Sequence, residues 1–571
     1  MSSIQQVDDD IYDKIIGIYK DFSLTSPTWN YCDCDGAAKT PASGWQATNP
    51  ILKNIKTCTI LPGATPVFGS NNRGDGLTLD GTTGQVMVRF PAVYMDRWWE
   101  GDTEFIVFSP SPCVTPGGRS LILNPAFYQR GGYARSQLFV SRYYAGLAVS
   151  AEGTLHALSA TGKQPWTGQE MVGLDFTGGV TQPAVGDLVV GETSLVQGTV
   201  VAVKLATGAW DGSATGTIYL KMVDEKVAFN TGSVAFTVGQ TVTGETSGAT
   251  GTIIAVVVSS GTWAGGDAAG YLVIRGGNAL NFTASENLTD PLGGLAKTTT
   301  SVLGDVKSPY TSLENLQILG STVAVANGTG SILALTCQNL EDYANKWLFE
   351  AGTDKRCGVI NPYTNDLLTM LAYLDLGTMD INSLSSVGQG VISKPLTRNF
   401  GGVLNGADSI NTQVDTNGTG KGTGSAGTTP NMWRGLQDFL GGNVYGFVIG
   451  AQANQNGVWD VINPNGSQVM ASPLTAGTFV SSIKSCLMSE GYWGQSLKES
   501  AMKFLLLPSD VTGTSAQKRC DYYYYPRGAA YILLVGGSWR DGARAGVASR
   551  VAVSASSTSS RNVGGRLELI V

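Results

Sequence analysis

A single histidine, His156, stands in a chain of 571 residues. That scarcity excludes zinc sites built from clustered histidines and the paired histidines of metalloprotease helices. Charge is scarce as well: Asp, Glu, Lys and Arg supply 14% of the residues, against about 25% in an average protein. Disordered chains are charge-rich and poor in aromatics, so disorder is excluded. Long coiled coils need Glu, Lys and Leu in bulk and are excluded too. The net charge is −7 and no basic cluster interrupts it, so no nucleic-acid partner is expected. Apolar runs such as Ile253 to Val258 are far short of a bilayer span, so no membrane insertion is expected. The chain opens with Asp8, Asp9 and Asp10 where a secretory signal carries a basic and then an apolar segment. Synthesis and folding in the cytoplasm are therefore expected.

Glycine is what the chain has in excess: 75 of 571 residues, about 13%, nearly twice the usual share of about 7%. The glycines follow no three-residue period, which excludes collagen. Together with abundant Thr, Ser and Val they predict a β protein with many turns, because glycine supplies the positive φ that turns and bulges require. The eight cysteines are Cys32, Cys34, Cys58, Cys113, Cys337, Cys357, Cys486 and Cys520. Cytoplasmic synthesis favours free thiols. Cys32-Asp33-Cys34 has one residue between thiols, against the usual zinc spacing of two to four. Small buried side chains are the expectation, with metal as the alternative.

Four regions follow from the pattern. In residues 1–40, Ile4, Val7, Ile11, Ile15, Ile18 and Phe22 recur at spacings of three or four, which predicts an amphipathic helix over 4–22. Its first turns hold the three aspartates, favourable for the helix dipole. Such a helix docks on a partner, pairs with copies of itself, or packs on its own domain. Residues 41–165 are turn-rich and then strand-rich, with strands near Gln85, over Phe105 to Phe108 and over Gln137 to Arg142. The tripeptide Arg73-Gly74-Asp75 looks like an adhesion signal but lies in a run of turn residues, and a turn is expected.

Residues 166–304 contain an internal repeat. Residues 185–203 (VGDLVVGETSLVQGTVVAV) and 238–256 (VGQTVTGETSGATGTIIAV) match at eleven of nineteen positions, 53 residues apart. Each copy runs into a Gly-x-Trp turn, Gly208 to Trp210 and Gly261 to Trp263, and then a strand. This predicts an all-β module present twice, with a fragment of a third copy near Phe282 to Leu288. Nothing in it concentrates reactive side chains, so a spacer or inserted arm is expected. In residues 305–571 two helices are expected, over Asn339 to Glu350 and over Pro362 to Leu376. The second carries Leu367, Leu371 and Leu374 as a stripe, and Pro362 suits its first turn. Residues 415–430 are expected to be a flexible loop. Four tyrosines follow at Tyr522 to Tyr525, then a strand over Tyr531 to Val535.

The ending carries Gly536-Gly537-Ser538-Trp539, then Asp541-Gly542, Ala545-Gly546-Val547, serines over 554–560, and Gly564-Gly565-Arg566-Leu567. This order resembles the C-type lectin-like fold of phage receptor-binding proteins. That family includes tropism determinants diversified by retroelements and is related to formylglycine-generating enzymes. Upstream, Val88 to Tyr94, Asn124 to Phe127, Tyr143 to Gly146, Asp366 to Gly377 and Ser386 to Gly390 resemble family segments in the expected order. The likeness covers about 85–165 and 305–571 and leaves the repeat as an insertion. The implied fold class is mainly β with a few helices (α+β), a C-type lectin-like domain carrying an inserted all-β repeat module.

The resemblance implies a virion fibre or receptor-binding protein that attaches a bacteriophage to its host through residues 305–571. Its partners would be other virion proteins through the N-terminal segment and a host surface receptor, either a glycan or an outer-membrane protein. A homotrimer is implied, because weak single contacts gain from multivalency. The anchoring candidates are Ile4, Val7, Ile11, Ile15, Ile18 and Phe22. The receptor-contact candidates are Tyr522, Tyr523, Tyr524, Trp539, Arg540, Asp541, Arg544, Arg550, Ser557, Thr558 and Arg561. They combine aromatics with Ser and Arg, the composition of adaptable recognition surfaces. Arg566 is expected to be structural. The related enzymes use a cysteine pair near the C-terminal core, whereas residues 521–571 hold no cysteine. A nucleophile also needs an adjacent base. No enzyme activity, cofactor or metal is therefore expected. The competing reading is a purely structural virion component, a capsid decoration or tail-tip protein without receptor contact.

Overall fold

The computed structural model describes residues 12–61, 65–128, 133–149, 155–162, 165–166, 171–191, 197–222, 224–275, 282–299, 312–313, 316–318, 328–333, 336–348, 357–387, 415–417, 419–421, 430–454, 456–464, 479–480, 486–499, 503–526, 531–538, 541–558, 560 and 562–570. The chain is mainly β.

The helix expected over 4–22 is corrected from Ile16 onward, while Tyr12 is helical. Ile16–Asp21 is a strand, hydrogen-bonded between Asn30–Cys32 and Thr103–Ser109. The run Ile15-Ile16-Gly17-Ile18 fits both a helical and a strand period, and its β-branched residues favour the strand. Gly17 decides further, since mid-helix glycine costs about 0.5–1 kcal/mol. Here it lets two neighbours close in, for a Cβ would sit 2.6 Å from Cys32 Sγ and from Val107. Ile16 and Ile18 face the largest core, and Ile15 faces a smaller one with Cys32, Cys34, Phe105 and Cys113. Ile15, Ile18 and Phe22 are almost fully buried in this chain, so they are not free as anchoring residues. Ile4, Val7 and Ile11 lie outside the described residues.

Two stretches far apart in sequence share one body. A six-stranded sheet runs in the order Cys357–Val359, Leu567–Ile570, Gln137–Ser141, Gln85–Pro91, Lys56–Ile60, Val67–Phe68. The last strand of the chain thus pairs on one side with Gln137–Ser141 and on the other with Cys357–Val359. The largest core draws residues from Ile16 to Ala552. Helix α1 spans Cys337–Leu348 and helix α2 spans Pro362–Leu376, the latter as expected. Asn361 caps α2 by accepting from the Thr364 amide, Pro362 fills the first turn, and Gly377 ends it at φ 68°. Such a cap is worth about 1 kcal/mol. Residues Pro362 to Asp375 are buried on every side, so the leucine stripe understates how deeply the helix sits. Gly420–Lys421 pairs with Asn431–Met432, so the loop expected over 415–430 is partly paired strand.

The inserted module is nested rather than tandem. The second copy is a closed barrel of Glu225–Val234, Thr241–Gly244, Thr250–Ser260, Ala268–Arg275, Asn287–Thr289 and Leu295–Thr298. The first copy uses Met171–Gly179, Leu188–Gly191, Gln197–Thr207 and Ala214–Met222 in the same neighbour order. It then takes Leu316–Ile318 and Gly328–Leu333 from beyond the second copy. Asn287–Thr289 is therefore the fifth strand of the second barrel and not part of a third copy. The module also extends past 304, to Leu333. The sequence repeat missed this because it covers only the second and third strands of each copy. Both copies keep one aromatic device. Trp210 stacks on Phe176 at 5.1 Å and Trp263 on Phe229 at 5.3 Å. Gly179 and Gly232 lie against these indoles, where a Cβ would meet the ring at 2.6 and 2.4 Å. Copy two docks on copy one through Val273, Ile254 and Tyr271.

Candidate functional site

The C-terminal sheet has the order Phe479–Val480, Trp459–Ile462, Tyr445–Ala453, Tyr531–Val535, Arg550–Ser554, Tyr522–Tyr524, Glu490–Tyr492, with Val563–Gly565 beside Tyr445–Ala453. Its register aligns Tyr445 with Val563, Val535 with Arg550, Arg550 with Tyr523, and Tyr522 with Tyr492 at one end of the sheet. The described residues 536–538 and 541–549 follow from that end as a loop.

The loop is closed by its own backbone. Gly536 and Gly537 take φ of 89° and 81°, a region that disfavours any side chain. A Cβ on Gly537 would sit 2.6 Å from Ala545 Cα. The Ser538 hydroxyl donates to Asp541 Oδ2 at 2.7 Å. Gly542–Arg544 forms a single 3-10 turn. The Gly546 amide donates to the Gly536 carbonyl at 3.0 Å, and the Asn382 side chain donates to the Ala545 carbonyl at 2.7 Å.

On this loop Arg544 lays its guanidinium 4.5 Å from the centre of the Tyr522 ring. Glu490 lies 3.9 Å from the same guanidinium, and the two side chains are 56% and 53% exposed, for Arg544 and Glu490 respectively. The Tyr522 hydroxyl donates to Glu490. Tyr492 meets Tyr522 edge-on at 5.4 Å. Burial, and then the Glu490 carboxylate, push the Tyr522 phenol up to about 12. Burial and the neighbouring Asp541 carboxylate push Tyr445 well above its ordinary value. The result is an exposed cation held over a buried aromatic ring, with a carboxylate and a second tyrosine alongside. It offers donors, acceptors and ring surface with little side-chain entropy left to lose.

Of the expected contact residues, the structure brings together Tyr522, Asp541 and Arg544, with Arg544 exposed, Asp541 half-buried and the Tyr522 ring itself buried. Two others are corrected. Tyr523 is fully buried in the largest core, because side chains alternate along Tyr522–Tyr524 and the middle one points inward. Arg550 is also fully buried, its guanidinium donating to Asp366 Oδ1 at 2.6 Å. Tyr524 is half-buried against the core that contains Phe447 and Leu534. Ser557 is exposed and Thr558 half-exposed. They lie past Ser554, at the opposite end of that strand from Arg550, in a turn closed by the Thr558 amide on the Ala555 carbonyl. Trp539, Arg540 and Arg561 lie outside the described residues. Glu490 and Tyr492 were missed: their strand is three residues long and nothing local links it to Tyr522.

Arg566 is structural. It donates to the Ser141 and Arg142 carbonyls at 3.1 and 3.0 Å and lies 4.4 Å over the Tyr144 ring. Arg73-Gly74-Asp75 closes on itself as a turn. The Arg73 guanidinium donates to Asp75 and holds that carboxyl down at about 2, while Gly74 is buried. All eight cysteines are free and buried. Burial pushes Cys32, Cys58 and Cys486 up to about 12, which disfavours the nucleophilic thiolate. His156 is buried in Leu155–Leu158, paired with Ala148.

No family model matches this chain, and no curated protein matches it significantly.

Proposed function

We propose that this chain is a phage fibre or receptor-binding protein, carried on the virion, which attaches the particle to the host surface through a C-type lectin-like C-terminal domain. The observation that carries the reading is the exposed pair Arg544 and Glu490, held around the buried Tyr522 ring with half-buried Tyr492 beside it, where a self-bonded loop meets one end of a sheet. The residues that resemble the family ending support it. Gly536, Gly537, Asp541 and Gly546 shape one self-bonded loop, and Arg566 and Leu567 tie the end of the chain to the early strands. A rigid scaffold that presents Tyr and Arg is suited to recognition. The ligand class is a host glycan or an outer-membrane protein, and a homotrimer would supply avidity.

The test is binding of the purified full chain to susceptible cells, with competition against phage adsorption. Arg544→Ala is expected to weaken binding about tenfold, the scale of a well-placed interface arginine. No binding to any susceptible host would sink the reading. Particles that lack the protein yet adsorb normally would favour the structural-component alternative.

A further inference from the structure

The segment that feeds the tyrosine strand is held from both sides. At its start the Lys518 amide donates to the Thr25 carbonyl at 3.1 Å. The fully buried Arg519 donates to Glu104 of the N-terminal sheet and lies between the rings of Phe22 and Trp493, at 5.0 and 4.9 Å. Lys518 and Cys520 take φ of 60° and 63° without being glycine. That backbone persists only where its surroundings force it. At the far side Asp521, buried, accepts the Ala548 amide through Oδ2 at 2.8 Å. Its Oδ1 lies against Gly546, where a side chain would have no room. Gly441 packs on the opposite side of Gly546, where a Cβ on Gly441 would come within 2.6 Å of the Gly546 Cα. Residues 546–548 are therefore clamped by one carboxylate that belongs to a strained, anchored segment.

We propose that Asp521 is the positioning residue of the recognition loop, and that its ionisation sets how firmly residues 545–549 are held for the receptor. The proposal rests on the receptor-binding reading for its consequence, but the loop geometry stands without it. The groups facing Asp521 are Arg519 on its own segment, Arg550 on the neighbouring strand, Asp380 before the turn Ile381–Ser383, and Tyr373 on α2. Asp366 faces Arg550 in turn, and Cys520 adjoins with Lys20 beyond it. Burial raises the Asp521 carboxyl to about 7, opposed by the Ala548 amide and Arg550, with Asp380 adding to the rise. Burial pushes Tyr373 and Cys520 far above neutrality. Asp521 therefore changes charge between pH 6 and 8. Above that window its carboxylate accepts the Ala548 amide as a charge-assisted bond and is drawn to Arg550. Below it the acid accepts as a neutral group, which is weaker by about half.

The test compares the full-length wild type and Asp521→Asn at pH 6 and pH 8. Amide exchange over 545–549, corrected for intrinsic rates, is expected to slow about fivefold from pH 6 to 8 in the wild type, the scale of one charge-assisted against one neutral bond. In Asp521→Asn it should stay at the pH 6 level throughout. Host-cell binding should follow the same two profiles. A wild type whose exchange is flat across the window overturns the proposal whether or not the variant folds. So does a variant whose exchange slows from pH 6 to 8 as the wild type's does. The expected exchange profile with no cell binding by either protein would instead sink the receptor reading and leave the positioning role supported.

Discussion

Two arginines six residues apart carry the same sequence-level expectation, and the structure separates them. Arg550 and Asp366 are 0% and 1% exposed at the side chain and 2.6 Å apart. Arg550→Met removes the cation and leaves the Asp366 carboxylate buried. Breaking a buried pair from one side costs about 3–5 kcal/mol. Asp366 would still accept from the Leu506 amide at 2.6 Å and from the Asn365 side chain at 3.1 Å. Those bonds partly solvate the stranded charge, so the lower part of the range, about 3 kcal/mol, is expected. In a body of this size that is on the order of 3–5 °C of melting temperature. Arg544→Met should cost under about 1 kcal/mol, since exposed pairs contribute little, yet should weaken host binding about tenfold. The assay is thermal unfolding by circular dichroism beside a cell-binding titration. Adding Asp366→Leu to Arg550→Met should recover part of the loss, because no charge is then stranded, although the Leu506 amide loses its acceptor. An Arg550→Met protein that melts with the wild type would refute the reasoning.

The nested module predicts parallel defects. Gly179→Ala and Gly232→Ala each push a Cβ into an indole, and each should cost about 1–3 kcal/mol. Limited proteolysis should show cleavage confined to the module, while the main body stays intact. Ile18→Glu places a carboxylate in the largest core. It should lower stability by more than about 3 kcal/mol, so that the protein is lost from the soluble fraction instead of merely detaching from virions. Asp438 is buried and raised to about 6, burial outweighing the bonds from Gln437 and Asn443 and the Arg566 charge. A folded state that binds the proton more tightly than the unfolded state is most stable below the unfolded value. That contribution fades as pH rises from about 4 to 6, on the order of 3 kcal/mol. Urea unfolding of Asp438→Asn should show that slope flattened relative to the wild type.

Local pattern carried the fold where the chain solves its problem locally. The limits of α2 were legible because Asn361, Pro362 and Gly377 are the stop and start signals themselves. The repeat was legible because its turns recur: Leu188–Gly191 and Thr241–Gly244 keep the 53-residue offset, as do Gln197–Thr207 and Thr250–Ser260. Its nesting was not legible. Leu316–Ile318 and Gly328–Leu333 are claimed by partners more than a hundred residues upstream, and no local signal records such pairing. The N-terminal segment failed for a related reason. An isoleucine-rich run satisfies two periods at once, and the choice is made by open partner strands on both sides, which only the folded chain supplies.

The candidate site follows the same division, one step finer. Residue type pointed to Arg and Tyr in the final fifth of the chain, but burial within that set depends on which face each residue takes. Tyr522 and Tyr523 are neighbours, yet one hydroxyl reaches the exposed Glu490 while the other ring fills the largest core. Alternation along a strand makes one of any adjacent pair internal, but only the register with Arg550 and Tyr492 says which. The same register brings Glu490 to Arg544, so the residue that completes the exposed ion pair comes from an edge strand with no motif of its own. The clamp on that loop is equally non-local. Arg519 reaches Glu104, some four hundred residues upstream, and two residues later Asp521 reaches Ala548. The loop proposed for recognition is thus positioned by residues outside its own stretch of sequence. For this chain, tests of recognition must perturb Asp521 and Glu490 alongside the motif itself.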